Sequence, residues 1–290
     1  MQTAAIPATP LRPTLVVAHS AKAAYIAPCA TTCSTCALRR LCVPSGLNGE
    51  PNSLIDELVT TRKRVRRGEH VYRANDRFTT LFAFRTGFYK AYVESEDGRT
   101  HVTGFHMAGD VAGFDGIGTE RHRQNLVALE DGEVCLISYP RLEATCSRVP
   151  SMQRYMYKML SSEIVREQEL MLLLGTMRAE ARVGAFLLNL SQRFAQRGYS
   201  SVEFILRMTR EEIGSYLGLK LETVSRIFSR LQEEGVLQVQ GRAIKLLDMP
   251  ALSELVGLRD ASTEHTQRSE DLYKVGARPA AFAGREAAIA

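Results

Sequence analysis

No run of about 18 apolar residues occurs in this 290-residue chain, so an ordinary membrane-spanning helix is not expected. The N-terminus also lacks the charged-then-apolar order of a secretory signal, which points to a cytoplasmic, reducing location and no membrane partner. With 45% hydrophobic residues the chain can build two ordinary domain cores and does not need disulfides to fold. No long internal repeat is visible. Cysteine is scarce too, six in all, yet four fall together in CATTCSTCALRRLC at 29–42. In a reducing compartment such clustering marks metal ligands or redox thiols more often than bridges. The net charge of +5 suits nucleic acid, but it also suits many ordinary basic proteins.

Residues 1–28, rich in Ala, Pro and Thr, read as a mobile arm, and 259–290 as a flexible tail. From the basic cluster Arg62, Lys63, Arg64, Arg66 and Arg67 to about Ser147, short apolar and aromatic runs alternate with RRGEH, RTGF, EDGR, AGD and EDGE. Glycines there supply a positive φ or a close approach, predicting a small antiparallel barrel or sandwich over 51–149. Pro150 opens a different pattern. Pro and Gly are absent from Ser151 to Leu174, and Tyr157, Leu160, Ile164, Met171 and Leu174 recur at spacings of three, four and seven. This is the seam of a two-helix coiled coil, so 150–176 is expected to be a dimerisation helix. Glu167 breaks the seam between Ile164 and Met171, where two like charges would meet across a symmetric pair. The alternative is a core helix of a monomer with Glu167 at its solvent edge. Off the stripe, Met156, Val165, Leu170 and Leu173 are expected to pack on the β-rich domain. A further helix is predicted from about Arg178 to Arg197, stopped by Gly198.

The segment TREEIGSYLGLKLETVSRIFSRL at 209–231 has the layout of a helix-turn-helix. Thr209 and Glu212 form a capping box, Gly214 is small where the helices cross, and Gly218 permits the turn. Ile213, Leu217, Leu219, Val224 and Ile227 supply the shared interior. Glu222, Thr223, Ser225, Arg226 and Arg230 fall on the opposite face of the second helix. Glu222 can accept from a cytosine amino group, Arg226 can pair with guanine O6 and N7, and Ser225 can reach a base or phosphate. The plainer alternative is a solvated face with an i, i+4 ion pair from Glu222 to Arg226. GVLQVQGRAIKLLD then predicts a hairpin turning near Gln240 and Gly241, a wing that offers Arg242 and Lys245 to phosphate.

The glycine-punctuated β segment, the long helix and the winged helix-turn-helix with ETVSR together resemble the CRP/FNR superfamily of bacterial transcription regulators. RRLCVP, TGFHMAGDVAGFDGIG, LNLSQRFAQRG and MTREEIGSYLGL extend the resemblance over roughly 29–258. It implies an α+β fold: an N-terminal cyclic-nucleotide-binding-like β-roll at 51–149, the dimerisation helix, and a DNA-binding domain at 177–258. The pattern at Glu222, Ser225 and Arg226 is similar to the FNR branch, whose half-site is TTGAT. Oxygen sensors of that branch carry a C-x2-C-x5-C run and a fourth cysteine in the β-roll, together holding a [4Fe-4S] cluster. Cys33, Cys36 and Cys42, in the loop 29–50, match that run, and Cys135 in EVCLIS stands where the fourth ligand is expected. Four soft thiolates suit such a cluster. Cys29 and Cys146 are left over: an exposed arm residue and a small buried hydrophobe.

Zinc could occupy the same thiolates. Cys29, Cys33 and Cys36 also form the C-x3-C-x2-C run of radical SAM enzymes, but Thr35 replaces the usual aromatic residue and no alternating βα pattern follows. A cyclic nucleotide is disfavoured because His122, not Ser, follows Arg121. The expectation is a homodimeric, oxygen-responsive, non-enzymatic regulator of inverted DNA repeats, with RNA polymerase as a further partner. Dimerisation is expected to be marginal at Glu167.

Overall fold

The structure, a computed structural model, describes residues 26–28, 33–47 and 56–257. The proposed arm, apart from its last three residues, lies outside them, as do Cys29 and the tail from 259.

The β-rich part is two antiparallel sheets folded on each other. One has the order β1 (Ile26–Pro28), β2 (Val59–Val65), β9 (Gly132–Ser138), β4 (Thr80–Thr86), β7 (Val111–Ala112); the other has β3 (His70–Tyr72), β8 (Asn125–Ala128), β5 (Phe88–Glu94), β6 (Thr100–Met107). Alternation along the strands turns Val65, Phe82, Phe84 and Val134 into the roll against Tyr72, Tyr89 and Leu126. The turns explain two of the glycines. Gly87 adopts φ 92°, and a Cβ on Gly132 would sit 2.6 Å from the Thr86 carbonyl oxygen, so RTGF and EDGE nest only as glycine turns. The end of the supposed mobile arm is a strand instead: β1 pairs with β2, whose edge backbone groups are otherwise open on that side.

Two helices leave the roll: α1 (Tyr139–Arg148) and the 27-residue α2 (Pro150–Thr176), with proline in the first turn of each. Then come α3 (Ala179–Gln196), β10 (Glu203–Ile205), α4 (Arg210–Leu217), α5 (Leu221–Glu233), β11 (Leu237–Gln240), β12 (Ala243–Leu246) and α6 (Met249–Leu255). The Thr209–Glu212 capping box forms in both directions, and Gly218 ends α4 at φ 63°. A Cβ on Gly214 would meet the Leu219 carbonyl oxygen at 2.5 Å, which is why the corner closes only with glycine there. The wing has a third strand that sequence reading missed, β10, paired with β12 through Phe204 and Ile244. Only three residues long, it carries too little alternation to be recognised.

One core runs through both halves of the molecule. Phe88, Val102, Phe105 and Met107 of the roll are buried with Phe186, Leu187, Ile213, Val224 and Phe228 of the helical part. This corrects the packing expected of α2. Met156 is buried against the roll, but Leu173 packs on the helical core and Val165 is exposed.

Candidate functional site

Cys135 lies mid-strand in β9, opposite Arg62 of β2 and Ala83 of β4. It points to the outer face of the sheet, where Val59, Leu81, Ala83 and Ile137 pack with Cys33, Val43 and Leu47 of the cysteine loop. Local hydrogen bonds wind that loop: the Cys36 amide donates to the Cys33 carbonyl (3.3 Å), Arg39 to Cys36 (3.0 Å) and Cys42 to Leu38 (3.1 Å). Asp56 anchors it by accepting from the amide and hydroxyl of Ser34, at 2.8 and 3.0 Å. Cys33, Cys36, Cys42 and Cys135 thereby line one cavity, together with Leu38, Arg39, Arg62 and Arg85. Among the described residues, no three His, Cys, Asp or Glu side chains are arranged to hold a metal ion. Burial pushes the Cys42 thiol well up, Cys135 adds to this, and Cys33 and Cys36 contribute less. Four thiolates would repel one another here, so the donor set fits a group that brings several positive charges of its own. Cys146 packs at the margin of the same core.

The cysteine loop sits on the first turns of α2. Met152 and Met156 are buried with Cys33, and the Tyr155 hydroxyl donates to the Cys42 carbonyl at 3.3 Å. A Cβ on Gly46 would lie 2.7 Å from that of Tyr155, so loop and helix are in close contact. Further along, the seam stands open. Tyr157, Ile164 and Met171 are 62%, 59% and 64% exposed, Glu167 is exposed with them, and Leu160 and Leu174 are half-buried. The acid nearest the roll is a different one, Glu163, whose carboxyl burial pushes up and which pairs with Arg166.

On α5, Val224, Ile227, Phe228 and Leu231 are buried, while Glu222 and Arg226 are exposed and Thr223 and Ser225 half-buried. Among the described residues no ion pair joins Glu222 to Arg226. Arg230 differs from its neighbours: it bonds Glu180 of α3 at 2.5 Å and Glu234 at 2.7 Å, tying α5 down. At the wing tip Arg242 is exposed and donates to the Arg207 carbonyl at 3.2 Å; Lys245 is exposed on β12.

The contacts that sequence reading missed join the two halves. Asp110 receives Arg193 of α3 and Arg197, the residue that caps that helix, each at 2.5 Å, and Arg197 also donates to the Ala108 carbonyl. Lys90 bonds Glu212, the capping-box acid, at 2.9 Å. The Ser215 hydroxyl accepts from the Val102 amide and donates to the Thr100 carbonyl. The i, i+4 spacing of Arg193 and Arg197 was visible, but nothing local names a partner more than 80 residues earlier.

Residues 62–149 match the cyclic nucleotide-binding domain family, and 181–255 match the Crp-like helix-turn-helix domain family. A transcriptional regulatory protein, btr, of Bordetella pertussis is 44% identical over 232 residues, 80% of this chain and 96% of that one. The chain belongs to the CRP/FNR family. The fumarate and nitrate reduction regulatory protein of Escherichia coli K12 is 41% identical over 229 residues, covering 79% of this chain and 92% of its own. The solved structure of FixK2 from Bradyrhizobium japonicum superposes with a TM-score of 0.63 at 33% identity, covering 68% of this chain and 98% of that one. As a CRP/FNR-family member the chain is a transcription regulator rather than an enzyme, dimerising and binding DNA through its helix-turn-helix. No helix among the described residues is long and apolar enough to cross a membrane.

In this family member aromatic rings cluster within the nucleotide-binding-type roll. His122, 2% exposed, stacks on Tyr72 with ring centroids 3.8 Å apart, and Phe78 meets it edge-on. Arg121 turns away, donating to the Asn75 carbonyl at 2.7 Å.

Proposed function

We propose that this regulator responds to oxygen through a [4Fe-4S] cluster held by Cys33, Cys36, Cys42 and Cys135, and that the cluster favours dimerisation and binding to TTGAT-type inverted repeats. The observation that carries this reading is one cavity lined by four thiols from two distant segments, packed against the start of α2. When bound, the cluster supplies an oxygen-labile link between loop and sheet. Gly46, Tyr155, Met152 and Met156 transmit the position of the loop to α2. Tyr157, Leu160, Ile164, Met171 and Leu174 form the pairing face, with Glu167 as the charge that makes pairing conditional. Glu222, Thr223, Ser225 and Arg226 read base edges, and Arg242 and Lys245 contact phosphate. Arg230 serves mainly to brace the recognition helix. We take 51–149 as sensor, 150–176 as dimer helix and 177–258 as DNA-binding domain, acting in the cytoplasm with RNA polymerase as partner.

A cyclic nucleotide is the weaker reading, because His122, not Ser, follows Arg121 and stacks on Tyr72, and Arg121 is engaged by the Asn75 carbonyl. Zinc on the same four thiols is the second reading, since four cysteines also make a structural zinc site. The deciding experiment is metal and acid-labile sulfide analysis of protein prepared without air. Iron with matching sulfide, lost in Cys135→Ser and kept in Cys146→Ser, is expected. Zinc without sulfide overturns the proposal.

A further inference from the structure

Three arginines, Arg39, Arg62 and Arg85, line the same cavity as the four thiols, and no carboxylate lines it among the described residues. Arg85 stands on β4. It bonds Glu133 at 2.5 Å, and Glu133 lies two residues before Cys135 on the neighbouring strand. The pair is partly screened by solvent, with side chains 34% and 22% exposed. Glu133 above all, and then the thiols Cys36 and Cys135, favour the charged form of Arg85. We propose that the Arg85–Glu133 pair sets the charge balance at the thiol pocket and so governs how fast the bound group is lost to oxygen; this rests on the iron–sulfur reading above.

The reason is electrostatic. A cluster core with two positive charges on four thiolates leaves two net negative charges, and the surrounding guanidiniums stabilise that excess. The first oxidative event takes one electron from the bound group and gives it to dioxygen, which becomes superoxide. Losing that electron makes the site less negative. A nearby cation therefore opposes the step and a nearby carboxylate promotes it. Arg85 and Glu133 touch each other, yet their effects on the rate have opposite signs.

The test uses the full chain prepared without air as parent, Arg85→Gln, Glu133→Gln and the double variant. Iron and sulfide are assayed first, and the decay of visible absorption is then followed in air-saturated buffer. Arg85→Gln is expected to lose the cluster at least about threefold faster and Glu133→Gln about threefold slower, with the double variant near the parent. A merely structural ion pair predicts acceleration in both single variants, since each breaks the same contact. Acceleration in both, or no change in either, overturns the inference while leaving the iron–sulfur reading intact. A parent without iron and sulfide overturns both. Should Arg85→Gln fail to fold, the sign for Glu133→Gln still decides, and Arg85→Lys, which keeps the charge, must match the parent.

Discussion

His106 of β6 is 4% exposed, packed on Phe84, and its Nδ1 meets no hydrogen-bond partner among the described residues. Burial is the main reason its pKa is pushed down to about 3, and Arg166 adds to the effect. Its consequence for stability has a definite sign. The folded value is depressed, so the full stability is present above the unfolded value near 6.5 and is lost as pH falls toward the folded one. At pH 5 the loss from this residue is on the order of 2 kcal/mol. In His106→Gln, which cannot titrate, urea midpoints measured between pH 7 and about 5 are expected to fall less than in the parent. Parallel curves for the two proteins would show that His106 is not the acid-labile group.

At the scale of elements, α2 and α5 each present an exposed face that no described residue covers, for different reasons. The seam of α2 exposes Tyr157, Ile164 and Met171 beside Glu167, which fits a surface waiting for its copy. Glu167→Ala removes the like-charge pair and joins the apolar stripe. A gain of about 1.4 kcal/mol raises the dimer constant tenfold. Sedimentation of the cluster-free variant should therefore show more dimer than the cluster-free parent, whereas Glu163→Gln, on the roll-facing side, should not. Equal monomer populations for Glu167→Ala and the parent would reduce Glu167 to an ordinary surface residue. On α5, Arg226 makes no ion pair among the described residues, while Arg230 is held by Glu180 and Glu234. Arg226→Ala should cost about 1–3 kcal/mol at one base pair of each half-site, and Arg242→Ala should weaken all sequences alike. Competition titrations on specific and scrambled duplexes separate the two. Equal losses on both duplexes for Arg226→Ala would remove it from base readout.

At the scale of the whole molecule, sensor and DNA-binding parts share a core and an ionic clamp, so the helix-turn-helix does not hang on a free linker. Burial opposes ionisation of Asp110, but Arg193, then Arg197 and His106, outweigh it and hold its carboxyl below the ordinary range. Its contribution is thus complete above about pH 4 and lost as pH falls through the lowered folded value. Asp110→Asn leaves two arginines without their carboxylate in a site where Asp110 is 20% exposed. A loss on the order of 3 kcal/mol is expected in urea unfolding near neutral pH. The loss should shrink in acid, where the parent's own carboxylate becomes protonated. An unchanged midpoint would mean that the shared apolar core alone holds the two halves together.

Much of this protein was legible without coordinates wherever the determinant is local. The capping box at Thr209 and Glu212, the glycines at 214 and 218 and the wing turn at Gly241 each meet a steric demand set within a few residues. The seam of α2 was readable because helical period alone brings Tyr157, Ile164 and Met171 to one side. The sequence by itself determined the order of roll, long helix and winged helix-turn-helix, the family and the candidate thiols. Tertiary structure decided what depends on segments far apart in the chain. It brought Cys135 across from Arg62 and Ala83 under the cysteine loop, set Glu133 against Arg85, and aimed Arg193 and Arg197 at Asp110. It also gave Arg230 a bond to Glu180, 50 residues earlier. An ionic side chain has no periodicity that names its partner; only the packing of strands and helices brings the opposite charge within reach, and that packing is set by the shared apolar core.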